Sequence, residues 1–264
     1  MSIGTVSRRS ICIGGVLALP SFSLAGDLTK AAESLLRDND KFIVSEILSE
    51  SNEVSIITLL CCVCAIFAIV GLGVGAAGGW RQALASSLKI PLLHLGTVLV
   101  CLPFMLLGSL MTGTGMDAPE IVRFVLLGMV TEALVMLSLT PIIVFFSCQS
   151  RYDFTKLLIV VAFALSGVVA MVGLIDSMAV ITAARGTLPT DVMWLFKIWI
   201  ATFGFVGMQM AWMLRPCIGS PELEFEWFRP RDQSGNFYTA VMQSAKRLYN
   251  GPPPPPTPGP IGFH

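Results

Sequence analysis

Charge is what this sequence has least of: Asp, Glu, Lys and Arg make up 13% of it, against roughly a quarter in soluble domains. A soluble protein of this length needs a charged surface to stay in solution, so the shortage excludes an ordinary soluble domain. The charges that are present balance, 17 basic against 17 acidic, which leaves no global basic field for nucleic acid. Histidine is scarcer still, with two in the chain and one of them the last residue, so no His-rich metal site is expected.

Several chemical signatures are also missing. No CxxC pair repeats at zinc-ribbon spacing, and Cys61, Cys62 and Cys64 have no His or Asp close by in sequence. The remaining cysteines, Cys12, Cys101, Cys148 and Cys217, are scattered, and most of the seven lie in apolar runs where a thiol acts as a small hydrophobe. Wet segments carry no Ser-His-Asp or Cys-His set, and no phosphate-cradling loop joins a strand to a helix. Neither catalysis nor a cofactor is expected.

What the chain has instead is apolar length, with 54% of residues hydrophobic. About five runs, at residues 54–78, 90–111, 121–147, 157–181 and 192–214, reach the roughly 20 helical residues that cross a bilayer. Short Gly- and Pro-marked connections join them, too brief to fold an extramembrane domain. The expected fold is therefore all-α, a polytopic transmembrane helical bundle of about five spans. Its wet material is confined to the two ends, where interfacial amphipathic helices are expected.

Residues 1–26 pair Arg8-Arg9 with a short apolar stretch ending in Ser23-Leu24-Ala25. That pattern fits a twin-arginine-like signal, a marginal sixth span, or an extension from a misplaced start. Residues 27–53 place Leu28, Ala31, Leu35, Leu36, Ile43, Ile47 and Leu48 at near-helical spacing, as in a helix lying on the membrane. Beyond the membrane domain (residues 54–214), residues 215–249 mix aromatics with arginines. Arg215, Trp227, Phe228, Arg229 and Arg231 are candidate contacts for headgroups or partners. Within this tail, Phe237, Val241, Met242, Ala245 and Leu248 share an apolar face. Residues 250–264 are proline-rich and are expected to be an extended, solvated tail.

Orientation follows from the basic residues flanking the spans. Arg81, Lys89, Arg151, Lys156, Arg215, Arg229 and Arg231 fall on the C-terminal side, against Arg37, Lys41, Arg123 and Arg185 opposite. The bias predicts a multi-pass plasma (inner) membrane protein with a cytoplasmic C-terminus.

Lipid supplies no hydrophobic force between helices, so small residues mark close contacts. Gly71, Gly75 and Gly79 form one such row, Ala162, Ser166 and Ala170 another, and Gly207 with Ala211 a third. Pro91, Pro103 and Pro141 are expected to bend their helices. Ionisable residues inside spans are candidate functional sites by default, and four stand out: His94, Glu132, Asp176 and Lys197. Asp176 and Lys197 sit at similar depths, about 8 Å from one face on consecutive spans, which predicts a structural salt bridge. Alternatively, Lys197 snorkels alone to the surface. Glu132 lies near the bilayer centre, with Thr131 and Gln209 as candidate partners. His94 is offset from it by roughly 14 Å along the helix axes, which argues against a direct bond and leaves only a water-linked path.

Gln82-Ala83-Leu84 with Lys89-Ile90-Pro91-Leu92-Leu93, then Gln209, Trp212, Leu214-Arg215-Pro216, Gly219-Ser220-Pro221, Phe228-Arg229-Pro230 and Asn236-Phe237-Tyr238, resemble an uncharacterised family of bacterial multi-span proteins. Members are sometimes labelled actin-binding WH2 proteins, and their topology is similar to that of five-span Yip1-like proteins. The likeness covers roughly residues 35–248. No basic LKKT-like motif follows an amphipathic helix, so the WH2 label implies no actin binding here. The Yip1-like likeness implies membrane organisation at the level of fold analogy, and no catalytic residues come with it. The expectation is a non-enzymatic membrane scaffold or assembly subunit that meets the lipid bilayer and a membrane protein partner or a second copy of itself. A small transporter or channel subunit using Glu132 as its ion-sensitive group is the alternative.

Overall fold

The computed structural model describes residues 43–44, 47, 55–112, 116–149, 152–185, 189–213 and 237–250. The candidate contacts Arg215, Trp227, Phe228, Arg229 and Arg231 lie outside these, as do the leader, most of 27–53 and the proline-rich tail.

Six α-helices account for most of the described residues: α1 (Ile56–Gly75), α2 (Trp80–Thr112), α3 (Ala118–Gln149), α4 (Tyr152–Ala184), α5 (Pro189–Met213) and α6 (Phe237–Asn250). The first five are long and apolar enough to cross a membrane. The chain is a multi-pass helical membrane protein. Its surface says the same: Leu110 is 80% exposed and Leu99 73%, and about two dozen further large apolar side chains are exposed. So continuous an apolar exterior would aggregate in water and suits lipid.

Ser55 caps α1, its hydroxyl accepting from the Ile57 N–H at 3.3 Å. Leu59, Val63, Phe67, Val70, Gly71, Val74 and Gly75 then bury one face of this helix at three- and four-residue steps. A short 3₁₀ turn (Ala76–Gly78) follows, and Gly79 adopts φ 89°, the left-handed conformation in which glycine carries no steric penalty. The chain reverses there into α2.

Around the bundle, α1 packs on α2 and α3, α2 on α5, α3 on α4, and α4 on α5, which closes the five spans into a ring. Two of the expected close contacts are realised inside it. A Cβ on Gly71 would stand 2.5 Å from the Ser86 carbonyl oxygen, and one on Gly75 2.7 Å from the Ala83 Cα. The α1 and α2 backbones therefore touch, as small-residue packing in lipid requires. Gly79 was expected on that face but meets nothing within 4 Å, because it belongs to the turn. Ala162, Ser166 and Ala170 are buried on α4.

α2 and α4 extend beyond the spans read from hydropathy, beginning at Trp80 and Tyr152, and α2 runs on through Pro91 and Pro103. Lys89, expected as a flanking charge, is consequently buried nine residues into α2. Ile43 and Ile47 from the N-terminal stripe are buried against the bundle core. At the opposite sequence end, α6 docks along α4, with the Lys156 ammonium donating to the Ser244 hydroxyl at 3.2 Å.

Candidate functional site

His94 and Glu132 meet. The Nε2 of His94 stands 3.4 Å from Oε1 of Glu132, and both side chains are buried. This overturns the expectation of a large axial offset, and the cause is helix length. A span starting at residue 90 puts His94 near one membrane face, whereas α2 starts at Trp80 and places it about 3 Å from the helix midpoint. Glu132 is about 2 Å from the midpoint of α3. The two sites are level.

Every spanning helix contributes to the surroundings. Phe67 of α1 stacks on the His94 ring at 3.8 Å between centroids, and Phe163 of α4 approaches its other side at 5.6 Å. Gly167 of α4 lies behind the carboxylate, with room for a Cβ 3.9 Å from Oε1. A void of about 10 Å³ adjoins Glu132, lined by Val125, Met129, Leu174, Trp199 and Phe203 among others. That is room for about one water, and its walls apart from Glu132 offer almost nothing polar to hold it.

On the far side of the ring, the His94 Nδ1 lies 2.9 Å from the Ile90 carbonyl oxygen. A carbonyl oxygen can only accept, so Nδ1 carries a hydrogen. The expected partners of Glu132 do not serve it: the Thr131 hydroxyl donates to the Leu127 carbonyl at 3.1 Å, and Gln209 makes no bond to the carboxylate among the described residues.

The predicted Asp176–Lys197 bridge does not form. Both side chains are exposed, and Lys197 instead sits over the Trp194 ring, 5.7 Å from its centroid. Similar depth on adjacent helices was not enough, because the two residues face outward rather than toward one another. An ion pair does form nearby that sequence reasoning missed. Arg185 donates through both terminal nitrogens to the Glu120 carboxylate, at 3.0 and 3.1 Å, at the end of the bundle away from α6. Its signal was available: Glu120 and Arg185 are opposite charges at span ends on the same side of the membrane.

Four further intramembrane hydroxyls bond within their own helices. Thr97, Thr140, Ser177 and Thr182 donate to carbonyls one turn earlier in their own helices, at 2.7–2.9 Å. No cluster of three or more His, Cys, Asp or Glu side chains that could hold a metal occurs among the described residues. One central polar pair inside an aromatic and aliphatic ring defines the site. Comparison with protein families, curated proteins and solved structures finds no match to this chain.

Proposed function

We propose that the protein is a non-enzymatic membrane scaffold or assembly subunit of the plasma (inner) membrane, with its α6 end on the cytoplasmic side. The observation that carries this reading is the way α6 is mounted. Val241, Ser244 and Leu248 turn inward, Ser244 fully buried and tied to Lys156. Tyr238, Met242 and Tyr249, at helical spacing on a neighbouring stripe, stay exposed, and so do Lys246 and Arg247 beyond them. An exposed aromatic and apolar stripe bordered by cations suits the zone between acyl chains and anionic headgroups. The bundle thus holds a recognition helix at a fixed height. Five spans also agree with the topology that the Yip1-like resemblance implies.

Purification of the full chain after mild solubilisation tests the reading. A co-purifying membrane protein or a defined oligomer is expected, and it should be lost or weakened in Lys246→Glu/Arg247→Glu. A protein isolated alone and monomeric, with that variant indistinguishable, would count against a scaffold. The transporter alternative draws on the buried His94–Glu132 pair, but the void beside Glu132 admits about one water and is walled by apolar groups. Proton or ion flux in liposomes that disappears in Glu132→Gln would favour it.

A further inference from the structure

The middle of the bundle holds more than a packing contact. Because Nδ1 of His94 must donate to the Ile90 carbonyl, the character of Nε2 depends on one further proton. Without it, Nε2 presents a lone pair to the Glu132 carboxylate 3.4 Å away, and two acceptors face each other in a buried, apolar setting. With it, the contact becomes either imidazolium against carboxylate or imidazole against carboxylic acid. Both of these are neutral as a pair and both place a hydrogen between Nε2 and Oε1. Two protons would again leave a mismatch, a donor facing a donor with a net positive charge. Burial of net charge in lipid is costly, so the surroundings select the one-proton states.

We infer that His94 and Glu132 form an intramembrane proton-binding site, which holds one proton between Nε2 and Oε1 and so ties α2 to α3 beneath Phe67. This goes beyond a scaffold role and requires no transport. The tie matters to the architecture because α2 and α3 are not neighbours around the ring and touch little elsewhere. They are joined chiefly through α1, whose Phe67 stacks on the His94 ring.

Other ionisable groups on the surrounding helices do not compete for the proton. Lys89 lies five residues back on α2, about 7.5 Å along the axis and turned about 140° around it. Cys62 and Cys64 on α1 and Cys101 on α2 are thiols outside the contact. Glu120 and Arg123 sit in the first turns of α3, two turns or more from Glu132, and Glu120 is engaged by Arg185. Asp176 on α4 and Lys197 on α5 face outward.

Two histidines in the whole chain make the test direct. His264→Gln leaves His94 as the single reporter in the full protein, labelled with ¹⁵N-histidine and held in nanodiscs at neutral pH. Imidazole nitrogen shifts give its protonation. The Glu132 carboxyl is read by infrared difference spectroscopy against Glu132→Gln or, should that variant not fold, Glu132→Asp. The expected result is imidazolium with carboxylate, or Nδ1-protonated imidazole with carboxylic acid. Neutral imidazole with ionised carboxylate would overturn the inference, and so would imidazolium with carboxylic acid.

Discussion

Two ionic contacts among the described residues are of opposite design. At the end away from α6, Glu120 and Arg185 form a two-pronged pair at 3.0–3.1 Å, with side chains 28% and 21% exposed. In the middle, Glu132 and His94 approach along one line at 3.4 Å, with side chains 11% and 7% exposed. Arginine keeps its charge under all ordinary conditions, and its planar fork fits a carboxylate, so the edge pair is permanent and geometrically specified. Histidine can exist in either form, so the central pair is defined by a proton count rather than by fixed charges. Where water is within reach, the chain uses a permanent ion pair. Where it is not, the chain uses a pair that can be neutral at every atom.

The comparison breaks most visibly if the central pair loses a partner. Glu132→Ala leaves Nε2 of His94 without a partner among apolar and aromatic side chains and opens space beside an existing void. The expected loss is about 3 kcal/mol, the upper end for leaving a buried polar group unpaired. Steric-trap unfolding in bicelles measures it, and a loss under about 1 kcal/mol would mean that the centre is held by packing alone. Next comes Gly71→Ala. Its new Cβ would collide with the backbone at Ser86, so α1 must move away from α2. Phe67 lies one turn earlier on the same helix and would shift off the His94 ring with it. About 2 kcal/mol of destabilisation is expected, as for overpacking elsewhere. A changed ¹⁵N spectrum of His94 should accompany it, and an unaltered spectrum would show that the pair does not depend on its aromatic cover.

Much of the fold was legible in the residues, and the reasons are physical. Apolar length and missing charge announce spanning helices whatever the sequence, and five of them form. Gly71 and Gly75 announced a close backbone contact because a four-residue step puts both on one face. Gly79 continued that spacing, yet the helix ends before it, and nothing in the periodicity marks where a helix yields to a turn. The central site was read as single residues and missed as a pair. Hydropathy locates the greasy part of a helix, whereas α2 begins ten residues earlier with Trp80, Arg81 and Gln82, and that extension moves His94 level with Glu132. Asp176 and Lys197 failed for the complementary reason: depth can be counted along a sequence, but the facing of two helices depends on which neighbours they choose.

The edge pair is expected to respond more weakly and to different variables. Glu120→Ala removes both Arg185 contacts, but water can solvate the released guanidinium, so about 1 kcal/mol is the expected cost. Arg185→Lys is the finest test. A lysine keeps the charge and gives up the fork, retaining one contact to the carboxylate in place of two, and the expected loss is about 0.5 kcal/mol. Because this pair is partly exposed, raising the salt to about 1 M, where the Debye length falls to roughly 3 Å, should shrink the wild-type advantage further. The same salt should leave the His94 ¹⁵N signals unchanged, since ions do not reach a pair enclosed by five helices. If Arg185→Lys instead costs as much as Glu132→Ala, the far end is as dry as the centre, and exposure is not what separates the two designs.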